Sequence, residues 1–369
     1  MKELRDIAAA VRAASAKGEA LALATLVRVS GSSYRRPGAR LLLGPEGSRV
    51  GSLSGGCLEA DVSERARECI LSGRSRLVRY DLRSDLDLLF GHGVGCAGVV
   101  EVFVEPLPRG EMPGWLAAAD EALAARRPSC LTTVFSATGA AEHRLGEHRL
   151  EPAPAGPPSF SYRVAEREDG RVEAAVEPLL PEPALFILGA GEDARSLAAL
   201  AGSQGWFVAI VDPRAAFASA ERFPDVDAIV CGPLEDVFPG LPLDERSAAV
   251  LVSHHYLRDF VALERLLAKP PGYIGLLGTS GRTARLLCDL EAAGFVPAPG
   301  ALERLYSPAG LDVGAETPDE IALSIVAEVR AVLRGRTGGF LRDRRGSVHG
   351  RKSEIRTMAA WAPQDLDAR

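Results

Sequence analysis

The sequence predicts an α/β protein in which a mixed α/β N-terminal part precedes a doubly wound parallel sheet. Three observations predict it. From residue 184 onward, short apolar runs alternate with amphipathic helical segments, as strands joined by crossover helices do. The first of these runs ends in Gly189-Ala190-Gly191-Glu192-Asp193-Ala194, a glycine turn between a strand and a helix, which makes this part Rossmann-like. Before residue 183, short β-rich runs outnumber helical ones. A length of 369 residues fits two or three units at about 150 residues each.

The N-terminus has apolar residues at Leu4, Ile7, Ala8 and Val11 with charges between them, an amphipathic helix without a signal peptide's continuous apolar segment. ALATLVRVSGSSYRRPGARLLL then gives a β-rich run, a Gly/Ser turn, a basic loop and a second apolar run. SRVGSLSGG reads as a short strand ending in glycines. A helix follows, with Leu58, Val62, Ala66, Cys69 and Ile70 on one face and Gly73 at its C-terminal cap. RLVRYDL, the loop GHGVGCAG and the strand VVEVFVEPLP close a first domain over residues 1–108.

Residues 109–182 read as a β-rich connector packed on that domain, with Asp169-Gly170 as a tight turn and PAPAGPP as an exposed loop. Its ending, VEAAVEPLLP, echoes VEVFVEPLP, which suggests two edge strands leaving one sheet, since one echo does not make a repeat. Residues 183–340 form the Rossmann-like domain, whose last helix starts at the cap-like Thr317 with Pro318 in its first turn. Residues 341–369 read as a basic, flexible tail.

Composition narrows the function. No apolar run approaches the roughly 20 residues of a membrane span, and a net charge of -6 gives no case for nucleic acid. A cytoplasmic protein is expected. The six cysteines form no CxxC pair, so neither a disulfide framework nor a zinc site is indicated. Cys69, Cys231 and Cys288 read as core or near-core residues.

Six stretches carry chemistry. In LSGGCLEADV, Gly55 and Gly56 allow a tight turn with outward N–H groups, and the following helix presents its positive end. Such a setting attracts anions and favours a thiolate at Cys57. Gly95 and Cys96 repeat this in a second glycine-rich loop. For either cysteine, a small residue filling a turn is the plain alternative. Arg35, Arg36 and Arg40 lie on a Gly/Pro-bounded loop suited to phosphate or carboxylate, or simply to solvent.

On the Rossmann side, Gly189, Gly191 and Asp212, about 20 residues on, fit a dinucleotide site, although Glu192 and Asp193 should repel a phosphate at the helix start. The same glycines could equally serve only helix packing. Gly278, opening GTSGRT with Arg282, and His254, in the Ser253-His254-His255-Tyr256 loop, are expected to face the same crevice, His254 as a candidate base.

GSSYRRPGARLLL, VGSLSGGCLEADV, GHGVGCAG, FILGAGEDA and GLDVGAETPDEIALSIVAEV together resemble the XdhC/CoxI family of accessory proteins for xanthine dehydrogenases and related molybdenum hydroxylases. The resemblance spans most of residues 10–340 and is weakest over 109–182. It implies a homodimeric chaperone that binds molybdenum cofactor, in its molybdopterin form, and supports its sulfuration by a cysteine desulfurase. The mature cofactor then passes to a xanthine dehydrogenase-type apo-enzyme.

By resemblance, Cys57 contacts the cofactor and its molybdenum, and Cys96 supplies a second thiol. The chain departs from the family's pattern at Glu192, at GTSGRT and at His254-His255-Tyr256, which bears on the Rossmann-side ligand. The competing readings are an NAD(P)-dependent oxidoreductase and a cysteine-dependent transferase or hydrolase with His92 or His254 as base.

Overall fold

In the computed structural model the chain divides into two units, residues 1–181 with 350–369, and residues 182–349. The structure describes residues 2–44, 47–82, 98–154, 159–167, 170–343 and 354–357. The first unit opens with α1 (Lys2–Ser15), β1 (Ala22–Gly31), β2 (Arg40–Leu43), β3 (Arg49–Gly51), α2 (Glu59–Ser72), β4 (Arg76–Asp81) and β5 (Gly98–Pro106). These strands form an antiparallel sheet in the order β3-β2-β1-β5-β4. α3 (Gly114–Ala124), β6 (Ser129–Gly139), β7 (His148–Pro152), β8 (Ser161–Arg167) and β9 (Gly170–Leu179) follow. With β16 (Glu354–Thr357) they give a second sheet, ordered β16-β8-β9-β6-β7.

The two sheets share one plan. β1 pairs with β5 as β6 pairs with β9. Ala22 opposes Pro106, and Cys130 opposes Pro178. Both pairings then skip one residue, resume at Arg28/Glu101 and Ser136/Glu173, and end at Gly31/Gly98 and Gly139/Gly170. The skipped residues, Val27 and Phe135, form β-bulges and point into the same small core with Phe103, Tyr162 and Ala175.

β2 and β7 also occupy equivalent registers, with Thr25 opposite Arg40 and Thr133 opposite His148. Gly98 and Gly170 are equivalent in a further way: a Cβ would lie 2.8 Å from Ser30 O at the first and 2.4 Å from Thr138 O, the matching carbonyl, at the second. The echo between VEVFVEPL and VEAAVEPL therefore does not mark two edge strands of one sheet. β5 and β9 are interior strands of different sheets, and they end alike because they hold the same place in a repeated unit.

The halves differ in their connections. Residues 44–75, with β3, the SGGC loop and α2, join β2 to β4, where residues 153–160 join β7 to β8. Residues 82–97 join β4 to β5, where residues 168–169 join β8 to β9.

Apolar stripes hold this unit together. Leu4, Ile7 and Val11 of α1 and Leu116, Ala119 and Leu123 of α3 pack beneath Leu23, Leu131 and Leu179. α2 lays Val62, Ala66 and Cys69 on Leu26, Leu41, Val102 and Val104. The halves also exchange buried polar pairs from equivalent positions. Arg40 of β2 reaches Glu177 of β9, and His148 of β7 donates to Glu105 of β5 at 2.9 Å.

The second unit is a parallel sheet with helices on both faces. Its elements are β10 (Ala184–Leu188), α4 (Glu192–Ser203), β11 (Phe207–Val211), β12 (Ala228–Val230), α5 (Leu234–Val237), β13 (Ser247–Leu251), α6 (Tyr256–Ala268), β14 (Tyr273–Leu276), α7 (Ser280–Ala292), β15 (Leu305–Tyr306) and α8 (Pro318–Leu333). The strand order β12-β11-β10-β13-β14-β15 is 3-2-1-4-5-6 in chain order, the Rossmann arrangement, with its switch point between β10 and β13.

Strands buried on both sides explain the uniformly apolar runs of this half. Thr317 and Glu320 form a capping box at α8 with Pro318 in its first turn, as the sequence suggests. Cys231 and Cys288, expected near the core, are exposed: Cys231 leaves the edge strand β12, and Cys288 lies on the outer face of α7.

Candidate functional site

Strand register gathers the N-terminal candidates at one end of the first sheet. β1 ends at Gly31 opposite Gly98, β4 ends beside Val99, and Ser52 N donates to Arg40 O at 2.9 Å. The basic loop 32–39, the SGGC loop and the start of β5 therefore share this end.

The SGGC loop is locked by two residues that the sequence reading passes over, Ser54 and Glu59. The Glu59 carboxylate accepts from the N–H of Leu53 at 3.2 Å and of Ser54 at 2.9 Å, and it also accepts the Ser54 hydroxyl. Ser54 Oγ in turn accepts from Gly56 N at 3.1 Å and Leu58 N at 3.2 Å. Glu59 is only 7% exposed. Burial pushes its carboxyl up, but the hydrogen bonds from Ser54 and the backbone outweigh burial and hold it below its ordinary value.

With these donors engaged and Gly56 at φ +115°, the N–H groups of Gly55 and Cys57 have no acceptor among the described residues. The first turn of α2 has no side-chain cap at Leu58. Its positive end is met instead by the carboxylate of Glu59.

Cys57 is half-buried and packs on the apolar cluster that contains Leu58 and Val62, as Tyr80 and Leu82 also do. It is thus closer to the core than its place outside the helix face implies. Tyr80 donates to Asp61 at 2.6 Å, and burial together with this bond pushes its hydroxyl well above the usual range. Gly95, Cys96 and His92 lie outside the described residues.

The three arginines of the basic loop divide. Arg40 is 2% exposed, and its guanidinium is engaged by Glu177 and the Gly38 carbonyl. The expected anion-binding role does not fit Arg40: its charge faces a buried carboxylate from the other sheet. Arg35 pairs with Glu3, which also accepts from Arg40 N at 2.8 Å. Arg36 is exposed.

In the Rossmann unit a crevice of about 300 Å³ opens at the strand ends, lined by Gly189, Asp212, Pro213, Pro233, Leu257 and Arg258 among others. Gly189 has φ +123°, and a Cβ there would meet Val252 backbone at 2.8 Å, so the fold itself requires this glycine. Asp212 is buried and accepts four hydrogen bonds. Arg214 supplies three, from N, Nε and an Nη at 2.9, 2.8 and 2.7 Å, and Ala190 N supplies the fourth at 2.9 Å. Burial raises its carboxyl, and these bonds override burial to hold it below the ordinary range.

Glu192 pairs with Arg195 and Arg222, and Asp193 hydrogen-bonds His254, so the acids expected to repel phosphate have partners distant in sequence as well as near. Neither Gly278 nor His254 lines the crevice. His254, exposed at φ +53°, hydrogen-bonds Asp193 at 2.8 Å. Arg282 of the GTSGRT loop is anchored on Asp259 at 2.7 Å.

Residues 14–81 match the XdhC and CoxI family model, and residues 185–329 match the XdhC Rossmann domain. A protein of Bacillus subtilis (strain 168) described as a probable xanthine dehydrogenase subunit is 33% identical over 317 residues, 84% of this chain and 92% of that protein. The molybdenum cofactor insertion chaperone PaoD of Escherichia coli (strain K12) is 25% identical over 315 residues, 85% of this chain and 84% of PaoD. The crystal structure of a Bacillus halodurans protein described as a xanthine dehydrogenase matches with a TM-score of 0.72 at 29% identity, covering 89% of this chain and 96% of that one.

Proposed function

The chain belongs to the XdhC and CoxI family, and on that premise we propose that it is an accessory protein that carries molybdenum cofactor to a xanthine dehydrogenase-type apo-enzyme. The cofactor is its cargo. A cysteine desulfurase supplies the terminal sulfur while the cargo is held, and the working form is a homodimer in the cytoplasm.

One observation carries the reading. The half-buried thiol of Cys57 stands on a locked glycine loop whose N–H groups at Gly55 and Cys57, without an acceptor among the described residues, are suited to an anion. Molybdopterin offers a phosphate and a sulfur-ligated metal, chemistry that such a loop can hold. Arg36 and the half-exposed Arg35 are the basic-loop cations assigned to the phosphate, whereas Arg40 serves the interior. Cys96 joins the site by family resemblance.

The repeated architecture supports the same assignment. Both cysteines fall in segments where the first half is longer than its counterpart: residues 44–75 against 153–160, and 82–97 against 168–169. The shared framework supplies the scaffold, and the added segments supply the chemistry.

The test is to load the purified protein with molybdenum cofactor and to measure retention and transfer to a molybdenum-free apo-dehydrogenase. Cys57→Ala is expected to lower transfer at unchanged unfolding stability. Full transfer by this variant would exclude the thiol role.

A further inference from the structure

We propose, independently of the cargo reading, that the Rossmann crevice binds an adenine nucleotide bearing a 2′-phosphate, the NADP(H) type, in preference to its unphosphorylated counterpart.

The glycine turn indicates a ligand. Gly189 is demanded by its own backbone and by the neighbouring strand. Gly191 is not: its φ is −76°, open to any residue, and a Cβ there would meet nothing within 4 Å. A glycine that neither conformation nor packing requires leaves the backbone at the start of α4 bare, where a dinucleotide's pyrophosphate approaches. The adjoining crevice, about 300 Å³ and walled by Leu188, Val211, Pro213, Pro233 and Leu257, is apolar on its flanks and suits a flat heterocycle.

Asp212 sets the preference. At this position a free carboxylate accepts the ribose hydroxyls of an unphosphorylated nucleotide. Here its two oxygens already take four N–H donors, which fills the acceptor capacity of a carboxylate. A ribose diol must break Arg214 away to bind.

An anion meets the opposite situation. Arg214, stacked 4.0 Å from the centre of the Phe217 ring, keeps one terminal nitrogen outside the Asp212 bonds, and Arg258 lines the crevice with its own nitrogen 4.0 Å from Asp212. Two guanidinium groups around one carboxylate leave a net positive charge. Three other carboxylates near the turn and crevice already have partners. Glu192 is held by Arg195 and Arg222, Asp193 faces His254, and Asp259 is taken by Arg282 and Ser253. Glu235, exposed in the first turn of α5, also lines the crevice and is the carboxylate that opposes this charge.

Equilibrium binding of 2′,5′-ADP and 5′-AMP to the full chain, followed by NADPH and NADH, decides the matter. The 2′-phosphorylated ligand of each pair should bind about tenfold more tightly or better, as a charge-assisted contact to arginine provides. Arg214→Ala should reverse the order, because it removes a phosphate partner and frees Asp212 for the diol.

Equal affinities, tighter 5′-AMP, or no binding of either nucleotide at millimolar concentration would overturn the proposal. The parent comparison alone suffices should Arg214→Ala fail to fold. Cofactor retention and transfer are read separately, so neither result decides the other.

Discussion

Glu59→Ala tests how the glycine loop is held. The substitution strips the acceptor from two N–H groups and one hydroxyl on residues that are 2% and 6% exposed, Leu53 and Ser54. A buried donor without a partner costs about 1–3 kcal/mol, and the hydroxyl can turn elsewhere, so the expected loss is about 3–5 kcal/mol. Glu59→Gln is milder. It keeps one oxygen for the two N–H groups but sets an NH2 against Ser54 Oγ, which already accepts from Gly56 and Leu58, for a loss of about 1–2 kcal/mol.

The pH dependence has a definite sign. The folded carboxyl titrates below its ordinary value, so its stabilisation is complete above about pH 4.3 and fades as pH falls through the lower folded value. The Gln variant should lose this part of the acid sensitivity. Urea unfolding followed by circular dichroism, at neutral pH and through the acid range, measures both effects. A Glu59→Ala variant within about 0.5 kcal/mol of the parent would refute the lock, since surface changes typically fall in that range.

Three further outcomes are expected. Arg40→Ala leaves Glu177 buried and uncompensated and should cost about 3–5 kcal/mol in urea unfolding, while Arg40→Met with Glu177→Leu should recover more than half of that loss. Gly189→Ala should destabilise the Rossmann unit by about 2 kcal/mol or more, and Gly191→Ala should stay within about 0.5 kcal/mol, as thermal scans would show. Replacing residues 83–97 with Glu-Asp, the two residues that join β8 to β9, should leave a folded N-terminal unit by circular dichroism and abolish cofactor transfer.

The Rossmann half was the most legible because its signals are local. Doubly buried strands read as apolar runs, helices alternate with them, and Thr317, Pro318 and Glu320 announce α8 within four residues of sequence. The repeat in the N-terminal unit was nearly invisible. ALATLVRVSG and SCLTTVFSATG share little, and what they hold in common is a register, a bulge and a glycine end, which belong to backbone pairing.

Arg40 was misleading for a related reason. A basic loop reads as solvated, and the carboxylate that buries this arginine lies 137 residues away. Ser54 and Glu59 were within reach, an acid in the first helical turn five residues after a serine, but only burial distinguishes a loop lock from an ordinary dipole partner. Arg214, two residues from Asp212, was also legible as a competitor for the ribose carboxylate.

The most direct measurement of the central claim is transfer of molybdenum cofactor from the loaded protein to a molybdenum-free xanthine dehydrogenase-type apo-enzyme, followed by the activity that appears, with parent and Cys57→Ala compared at equal loading. The parent should retain cofactor through gel filtration and activate the enzyme, and Cys57→Ala should do so at least about tenfold less well, the equivalent of about 1.4 kcal/mol. A parent that retains no cofactor, or a variant that transfers as well as the parent, would contradict that claim.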